Sequence, residues 1–118
     1  MIKIIKEYIK DGQLDKEVLA ALGSNLFAAF GSNLVEIEGD NITFKTDVLF
    51  WWCDSLTSID RVTFKGEVVF YSCNSLTSIS GATFNGDVEF WFCDSLTSVS
   101  GATFKKGFEA HSCPNLKQ

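Results

Sequence analysis

The chain reads NITFKTDVLFWWCDSLTSID (41–60), RVTFKGEVVFYSCNSLTSIS (61–80) and GATFNGDVEFWFCDSLTSVS (81–100), followed by the truncated block GATFKKGFEAHSCPNLKQ (101–118). When the blocks are aligned with a period of twenty residues, Phe, Cys and Leu each occupy the same position in all four blocks. The columns are Phe44, Phe64, Phe84 and Phe104; Cys53, Cys73, Cys93 and Cys113; and Leu56, Leu76, Leu96 and Leu116. A repeat of constant length predicts that structurally equivalent units stack on one another.

Each unit contains one clear strand segment, residues 48–53 in the first block. Twenty residues cannot bury an apolar face alone, so neighbouring units stack with their strands about 4.8 Å apart. We predict that Phe44, Val48, Phe50, Cys53, Leu56 and Ile59 point inward, with their equivalents in later blocks. The predicted fold is therefore mainly β: a right-handed parallel-strand solenoid of about four coils, 41–60, 61–80, 81–100 and 101–118.

The strand and the turn after it resemble a known family. Val48-x-Phe50-x-x-Cys53-x-x-Leu56, with CDSLTSID, CNSLTSIS and CDSLTSVS, is similar to leucine-rich repeats, especially short bacterial and phage variants containing C-x-S-L-T-S before Ile or Leu. The likeness covers residues 41–118. Upstream, Phe44-x-x-x-Val48-x-Phe50 replaces the family's L-x-x-L-x-L. The resemblance implies a solenoid with a binding face and no chemistry, because such repeats usually serve recognition.

Residues 1–31 lack the repeat. Ile2, Ile5 and Ile9 recur at helical spacing. Leu14, Val18, Leu19 and Leu22 form a second stripe before a C-capping Gly23, and residues 26–30 suggest a third helical turn. We predict an α-helical N-terminal cap over residues 1–31, with a partner-binding helix as the alternative, and a repeat solenoid over 32–118 in the same structural domain.

Both ends of the repeat region deviate from the pattern. Leu34 and Ile37 echo Leu76 and Ile79, which predicts a partial coil before residue 41. In the last block Ala110 replaces the ladder phenylalanine and Pro114 follows, as suits a coil that stops pairing.

The residues between the inward positions predict an outward aromatic strand face. Taken coil by coil, they are Leu49, Trp51 and Trp52; Val69 and Tyr71; Glu89, Trp91 and Phe92; and Glu109 and His111. Connected exposed aromatic patches mark interaction sites, and Trp and Tyr are enriched in binding hot spots. We therefore predict that these ten residues bind a partner, with burial inside the molecule as the alternative.

The cysteine column is the main candidate for chemistry. One Cys per coil is not the C-x-x-C spacing of a metal site, so we expect a reduced, buried ladder, with disulfides and metal binding as lesser alternatives. His111, the only histidine, lies two residues from Cys113 and on a regular strand shares its side, but it also continues the column of Trp51, Tyr71 and Trp91. We expect no catalytic residue, no metal and no cofactor.

Composition limits the remaining classes of function. With 118 residues, 46% of them hydrophobic, and one Pro, the chain suits a single folded domain and not a disordered segment. Its 15 acidic and 10 basic residues argue against direct nucleic-acid binding, which needs a cationic surface. No apolar run is long enough to span a bilayer, so we expect no membrane association and a soluble, cytoplasmic protein.

The leading hypothesis is a non-catalytic protein-binding module that acts through the aromatic face against an unidentified protein partner. Its size, acidity and repeat style suit a small inhibitor of a host defence system, encoded by a phage or mobile element and similar in role to anti-CRISPR proteins. The alternatives are a homodimer through the same face, or a carbohydrate-binding module in which Trp51 and Trp91 stack on sugar rings.

Overall fold

The computed structural model describes residues 2–20 and 34–117, which form a β-solenoid of about four turns. The strands in chain order are β1 (Ile2–Ile4), β2 (Ile9–Lys10), β3 (Gln13–Leu14), β4 (Val35–Glu38), β5 (Asn41–Phe44), β6 (Val48–Trp51), β7 (Val62–Phe64), β8 (Val68–Tyr71), β9 (Thr83–Phe84), β10 (Val88–Trp91), β11 (Thr103–Phe104) and β12 (Glu109–His111). Sheet 1 has the order β1-β6-β8-β10-β12 and is parallel throughout. Sheet 2 has the order β11-β9-β7-β5-β4, and β2 pairs with β3 in a small hairpin.

The register of both sheets follows the twenty-residue period. Phe50 lies beside Phe70 and Phe70 beside Phe90 in sheet 1, while Phe44 lies beside Phe64 in sheet 2. In β-strands alternate side chains face opposite sides, so equivalent residues of each coil share one side of the sheet. The predicted inward set is confirmed: Phe44, Val48, Phe50, Cys53, Leu56 and Ile59 are all buried.

The core is two interlocking phenylalanine ladders. Rings of sheet 1 stack along the solenoid, with 4.6 Å between the centroids of Phe50 and Phe70. Rings of sheet 2 stack in the same way, with 5.4 Å between Phe44 and Phe64. Between the ladders the contacts are edge-to-face, as for Phe64 and Phe70 at 6.2 Å. Both arrangements are favoured by the charge distribution of aromatic rings, so the ladders hold the coils in register.

Each coil turns sharply just after the sheet 1 strand. The residue there adopts the left-handed backbone conformation in every coil, with φ of 53° at Trp52, 57° at Ser72, 55° at Phe92 and 54° at Ser112. A second close approach involves Gly86, where an added Cβ would lie 2.6 Å from the carbonyl oxygen of Gly66 in the preceding coil. The coils pack too tightly there to admit a side chain.

The first residues of the chain form a strand and not the predicted helix. β1 pairs in parallel with β6, placing Ile2 beside Val48 and Ile4 beside Phe50. Ile2 and Ile4 are buried and Lys3 is exposed, so alternation wins over the helical spacing of Ile2, Ile5 and Ile9. The physical reason is that the first coil presents an unpaired strand edge, which β1 satisfies with backbone hydrogen bonds.

The helical part of the N-terminal segment begins at residue 16, and its described part ends at residue 20. Asp15 caps it, since its Oδ1 accepts a hydrogen bond from the Glu17 amide at 3.0 Å. Leu19 is buried in the solenoid core, whereas Leu14 of the same predicted stripe lies in β3. Other predicted features lie outside the described residues: Leu22, Gly23 and the turn over 26–30.

The predicted partial coil before residue 41 is wrong. β4 pairs antiparallel with β5, which places Val35 opposite Phe44 and Ile37 opposite Ile42. A two-residue connection between the strands closes this hairpin, which cannot support a parallel pair. The free edge of β5 is therefore covered by β4, its hairpin partner, and not by an earlier coil.

Candidate functional site: the outward aromatic face

The outward side chains of sheet 1, together with the corner residues that follow β6 and β10, form one surface, which we call the aromatic face. Its members are the ten residues predicted from the sequence: Leu49, Trp51, Trp52, Val69, Tyr71, Glu89, Trp91, Phe92, Glu109 and His111. Trp51, Trp52 and Phe92 expose 37%, 49% and 39% of their surface, and they are the exposed large hydrophobic residues of the described chain. The other apolar members are half-buried against one another.

Trp51 and Tyr71 form the first ring stack of the aromatic face. Their centroids are 4.8 Å apart and their planes differ by 12°. The Nζ atom of Lys3 lies 5.1 Å from the Trp51 centroid. Because β1 and β8 flank β6 on opposite sides, the lysine and the tyrosine cover opposite faces of the indole.

A second stack pairs Trp91 with His111, whose centroids are 4.0 Å apart. The indole Nε1 of Trp91 also donates a hydrogen bond to Glu89 Oε1 at 2.8 Å. Phe92 links the two stacks, with its centroid 5.6 Å from Tyr71 and 6.3 Å from Trp91. The rings therefore form a connected surface across four coils.

The corner column combines two exposed aromatic residues with one buried serine. Trp52 and Phe92 project from the turns, and each packs edge-to-face with Tyr71. Ser72 lies in the corner between them and is only 4% exposed. Ser72 has the same left-handed backbone as Trp52 and Phe92, so its burial follows from its small size between the two larger side chains.

Acidic groups surround the aromatic face. The side chain of Glu109 is 71% exposed, and its Oε1 lies 3.8 Å from the Nε2 of His111. Asp54 and Asp94, which follow the corners, are exposed as well. Lys3 is the one cation of the described chain that contacts the rings. Its position was not predicted from the sequence, and the alternation Ile2-Lys3-Ile4 was the signal that could have revealed it.

The cysteine column lies inside the solenoid as free thiols. The thiols of Cys73, Cys93 and Cys113 each donate to a main-chain carbonyl of the preceding coil, as Cys93 does to Phe70 at 3.7 Å and Cys113 to Phe90 at 3.5 Å. Hydrogen bonds with the thiols of Cys53 and Cys93, together with burial, raise the pKa of Cys73 well above its usual range. Burial also raises the pKa of Cys113. Raised pKa values keep thiols protonated and poorly nucleophilic at neutral pH.

The structure does not bring His111 and Cys113 together as a catalytic pair. The imidazole stacks on Trp91 outside the sheet, whereas the thiol packs against the core. Strand alternation places residues two apart on the same side, but the left-handed turn at Ser112 reverses the direction of the next side chain. Residues 2–20 and 34–117 contain no group of three or more His, Cys, Asp or Glu that could hold a metal ion.

A separate cavity of about 360 Å³ lies between the N-terminal segment and the first coil. On its wall the carboxylate of Asp40 pairs with Lys16 through one oxygen and with Arg61 through the other, both at 3.3 Å. These pairs are exposed and contribute little to stability. Because the Asp40 carboxylate pairs with both Lys16 and Arg61, each of these three charged groups already has a partner in the cavity wall.

No family model, curated protein or solved structure matches the chain. In the described part of the chain, no helix is long and apolar enough to cross a membrane.

Proposed function

We propose that the chain is a non-catalytic binding module that receives a protein partner on the aromatic face. The observation that carries this proposal is the exposure of Trp51, Trp52 and Phe92 as one connected patch. Apolar patches of this kind mark interaction sites on otherwise folded chains. Trp in particular is enriched among the residues that contribute most to protein–protein affinity.

The backbone at the two corners gives a second reason. Trp52 and Phe92 have φ of 53° and 55°, a conformation that disfavours bulky side chains and favours Gly or Asn. Neither residue fills the core, so stability does not account for an aromatic residue at these positions. Strained residues with exposed side chains are typical of functional surfaces.

The arrangement of rings favours a protein over a sugar. A sugar ring stacks flat on the face of an aromatic side chain. Lys3 covers one face of Trp51 and Tyr71 covers the other, while His111 occupies one face of Trp91. The two tryptophans that a sugar ring would stack on, Trp51 and Trp91, therefore have ring faces already occupied, which favours a protein partner over a flat ligand.

The charges around the patch indicate the character of the partner. Asp54, Asp94 and Glu109 are exposed, and the whole chain carries a formal charge of −5. A partner with apolar side chains at the centre of its interface and Lys or Arg at the rim complements this surface.

The finer assignment rests on resemblance. The C-x-S-L-T-S turns are similar to short bacterial and phage leucine-rich repeats, and a small acidic repeat protein suits a stoichiometric inhibitor. We propose that the chain acts without catalysis in the cytoplasm, and that its partner belongs to a host defence system in the manner of anti-CRISPR targets.

Affinity capture with matched variants tests the proposal. Wild-type chain is compared with the variant Trp51→Ala, Trp52→Asn, Phe92→Asn, and with the control Thr63→Ala, Thr83→Ala on the outward side of sheet 2. We expect one protein that the wild type and the control retain and that the aromatic variant loses. Circular dichroism checks that all three chains are folded.

Two results contradict the proposal. One is a partner that the aromatic variant still retains, which moves the binding site elsewhere. The other is a set of hits on a glycan array that vanish with the aromatic variant, which assigns the face to carbohydrate.

A further inference from the structure

The last strand of sheet 1 has a free edge. β12 pairs with β10 on one side, and no described strand lies on its other side. Natural proteins protect such an edge with very short strands, charged side chains, Pro or a bulge. β12 is short and carries Glu109, but it contains no Pro, so its backbone N–H groups remain able to donate.

The backbone of Ala110 points toward this free edge. In earlier coils the residues two positions before and after the ladder phenylalanine direct their N–H groups to the following coil. Val48 donates to the Glu67 carbonyl at 2.9 Å, and Phe92 donates to the His111 carbonyl at 3.0 Å. Backbone groups of successive strand residues point to opposite edges. The N–H and C=O of Ala110 therefore both face outward from the last coil, where another strand can exchange two hydrogen bonds with them.

The side chains of β12 are self-complementary. When two copies of Glu109-Ala110-His111 pair antiparallel about Ala110, Glu109 of each copy stands opposite His111 of the other. These are non-hydrogen-bonded pairs, the closer kind, with about 4.5 Å between Cα atoms. The imidazole N–H donates to the carboxylate twice by symmetry. Opposite polarity directly across a strand pair is stabilising, and like charges there are destabilising.

The core of the last coil also suits a second copy. Ala110 stands where earlier coils have the ladder phenylalanine. The ring of Phe108 packs beside this position, with its centroid 4.9 Å from that of Phe104 and 6.1 Å from that of Phe90. Phe104, Phe108 and Leu116 remain half-buried at this end, while their equivalents in earlier coils are buried. A copy stacked on the end covers them, and a small residue at the twofold axis lets the two backbones approach.

We propose that two copies of the chain associate end to end through antiparallel pairing of β12 with β12. The twofold axis is perpendicular to sheet 1 at Ala110, so two five-stranded sheets join into one of ten strands. Both aromatic faces then lie on the same side, and the dimer is bivalent for the partner proposed above. This interface shares Glu109 and His111 with the aromatic face and leaves Trp51, Trp52 and Phe92 outside the strand pairing.

Sedimentation equilibrium over a range of protein concentrations tests the proposal. We expect the wild type to dimerise reversibly and Ala110→Pro to weaken dimerisation by at least about tenfold, which corresponds to 1.4 kcal/mol. Proline removes the N–H that bonds the second copy and leaves the bonds to β10 intact, because that N–H faces the free edge.

A charge swap gives a second readout that does not depend on proline. Glu109→His alone removes both attractive pairs and weakens dimerisation. Adding His111→Glu restores complementarity in the reverse sense, and the dissociation constant returns to within about threefold of the wild type, a difference below 1 kcal/mol. Rescue of this kind is not expected of residues that merely support the fold.

The proposal is overturned when the wild type is monomeric at every concentration. It is also overturned when Ala110→Pro dimerises like the wild type while Trp51→Ala, Trp52→Asn is monomeric, which places the interface on the aromatic face. Partner capture is read with Ala110→Pro, which changes no member of the aromatic face, so loss of the dimer and loss of the partner are distinguishable.

Discussion

The thiol of Cys53 donates a hydrogen bond to the main-chain carbonyl of Ile4, 3.3 Å away. This bond repeats the one that Cys93 makes to Phe70, although 49 residues separate the first pair and 23 the second. The carbonyl of Gly12 likewise accepts from the Thr57 amide at 2.7 Å, as the carbonyl of Thr57 accepts from the Thr77 amide at 3.0 Å. The N-terminal segment therefore substitutes for a preceding coil with an unrelated sequence.

Truncation of the Ile4 side chain tests whether β1 takes the structural place of a preceding coil. Ile4 is fully buried beside Phe50, so Ile4→Ala is expected to lower the free energy of unfolding by about 2–5 kcal/mol. Urea denaturation measures this. The exposed control Lys10→Ala should stay within about 0.5 kcal/mol of the wild type. A change at Ile4 no larger than that of the control would show that β1 is not part of the core.

The corner aromatics should contribute little to stability. Trp52→Asn relieves a left-handed backbone that costs about 1–2 kcal/mol for a residue other than Gly or Asn. It also loses ring contacts with Trp51 and Tyr71, worth about 0.5–1.5 kcal/mol each. The two effects oppose each other, so we expect the free energy of unfolding to fall by no more than about 2 kcal/mol.

Phe70→Ala provides the contrast for the corner variant. Phe70 is buried in the ladder of sheet 1, and its loss is expected to cost about 3–5 kcal/mol. Chemical denaturation of both variants gives the comparison. Equal destabilisation by Trp52→Asn and Phe70→Ala would mean that the corner ring supports the fold and would contradict a binding role for it.

The raised pKa of Cys73 predicts a loss of stability in alkali. An unfolded thiol has a pKa of about 8.5, and the folded value is higher, so the folded state holds its proton more tightly. The resulting stabilisation is complete below about pH 8.5, declines as the pH rises past that value, and is lost as the pH passes the folded pKa. Cys73→Ala should therefore lose less stability than the wild type between about pH 8 and 10. Parallel slopes for the two proteins in urea titrations across this range would refute the prediction.

Thiol labelling should distinguish the last coil from the others. Cys53, Cys73 and Cys93 are fully buried, and Cys113 is partly exposed. A thiol reagent applied to the folded chain is expected to modify Cys113 first and slowly, because its pKa is raised, and the other three only on unfolding. Mass spectrometry of the labelled peptides identifies the order. Rapid labelling of Cys73 in the folded chain would contradict the buried ladder.

The close approach at Gly86 predicts a steric penalty. A Cβ there would lie 2.6 Å from the Gly66 carbonyl oxygen, and a backbone atom within the stack cannot move away as a side chain does. We expect Gly86→Ala to cost about 1–3 kcal/mol. The neighbouring exposed residue serves as the control, since Asp87→Ala should change the unfolding free energy by less than about 0.5 kcal/mol. Thermal and urea denaturation of the pair measure the difference.

The period, the inward columns and the outward aromatic column follow from the amino-acid sequence alone. A constant twenty-residue repeat fixes which residues stack, and strand alternation then separates Phe50 from Trp51 without further information. The same local rules failed where a residue's conformation depends on a distant edge or corner. The spacing of Ile2, Ile5 and Ile9 favours a helix, but the unpaired edge of β6 makes a strand the more stable choice.

The conformation of the corner after each sheet 1 strand likewise depends on packing between coils and not on local sequence. Its left-handed backbone directs Trp52 and Phe92 to the surface and separates Cys113 from His111. Alternation assumes a continuous strand, and the pattern of side chains does not reveal where the strand bends. Local periodicity therefore established the stacked core, whereas backbone pairing and the corner geometry determined the shape of the surface on which the proposed function depends.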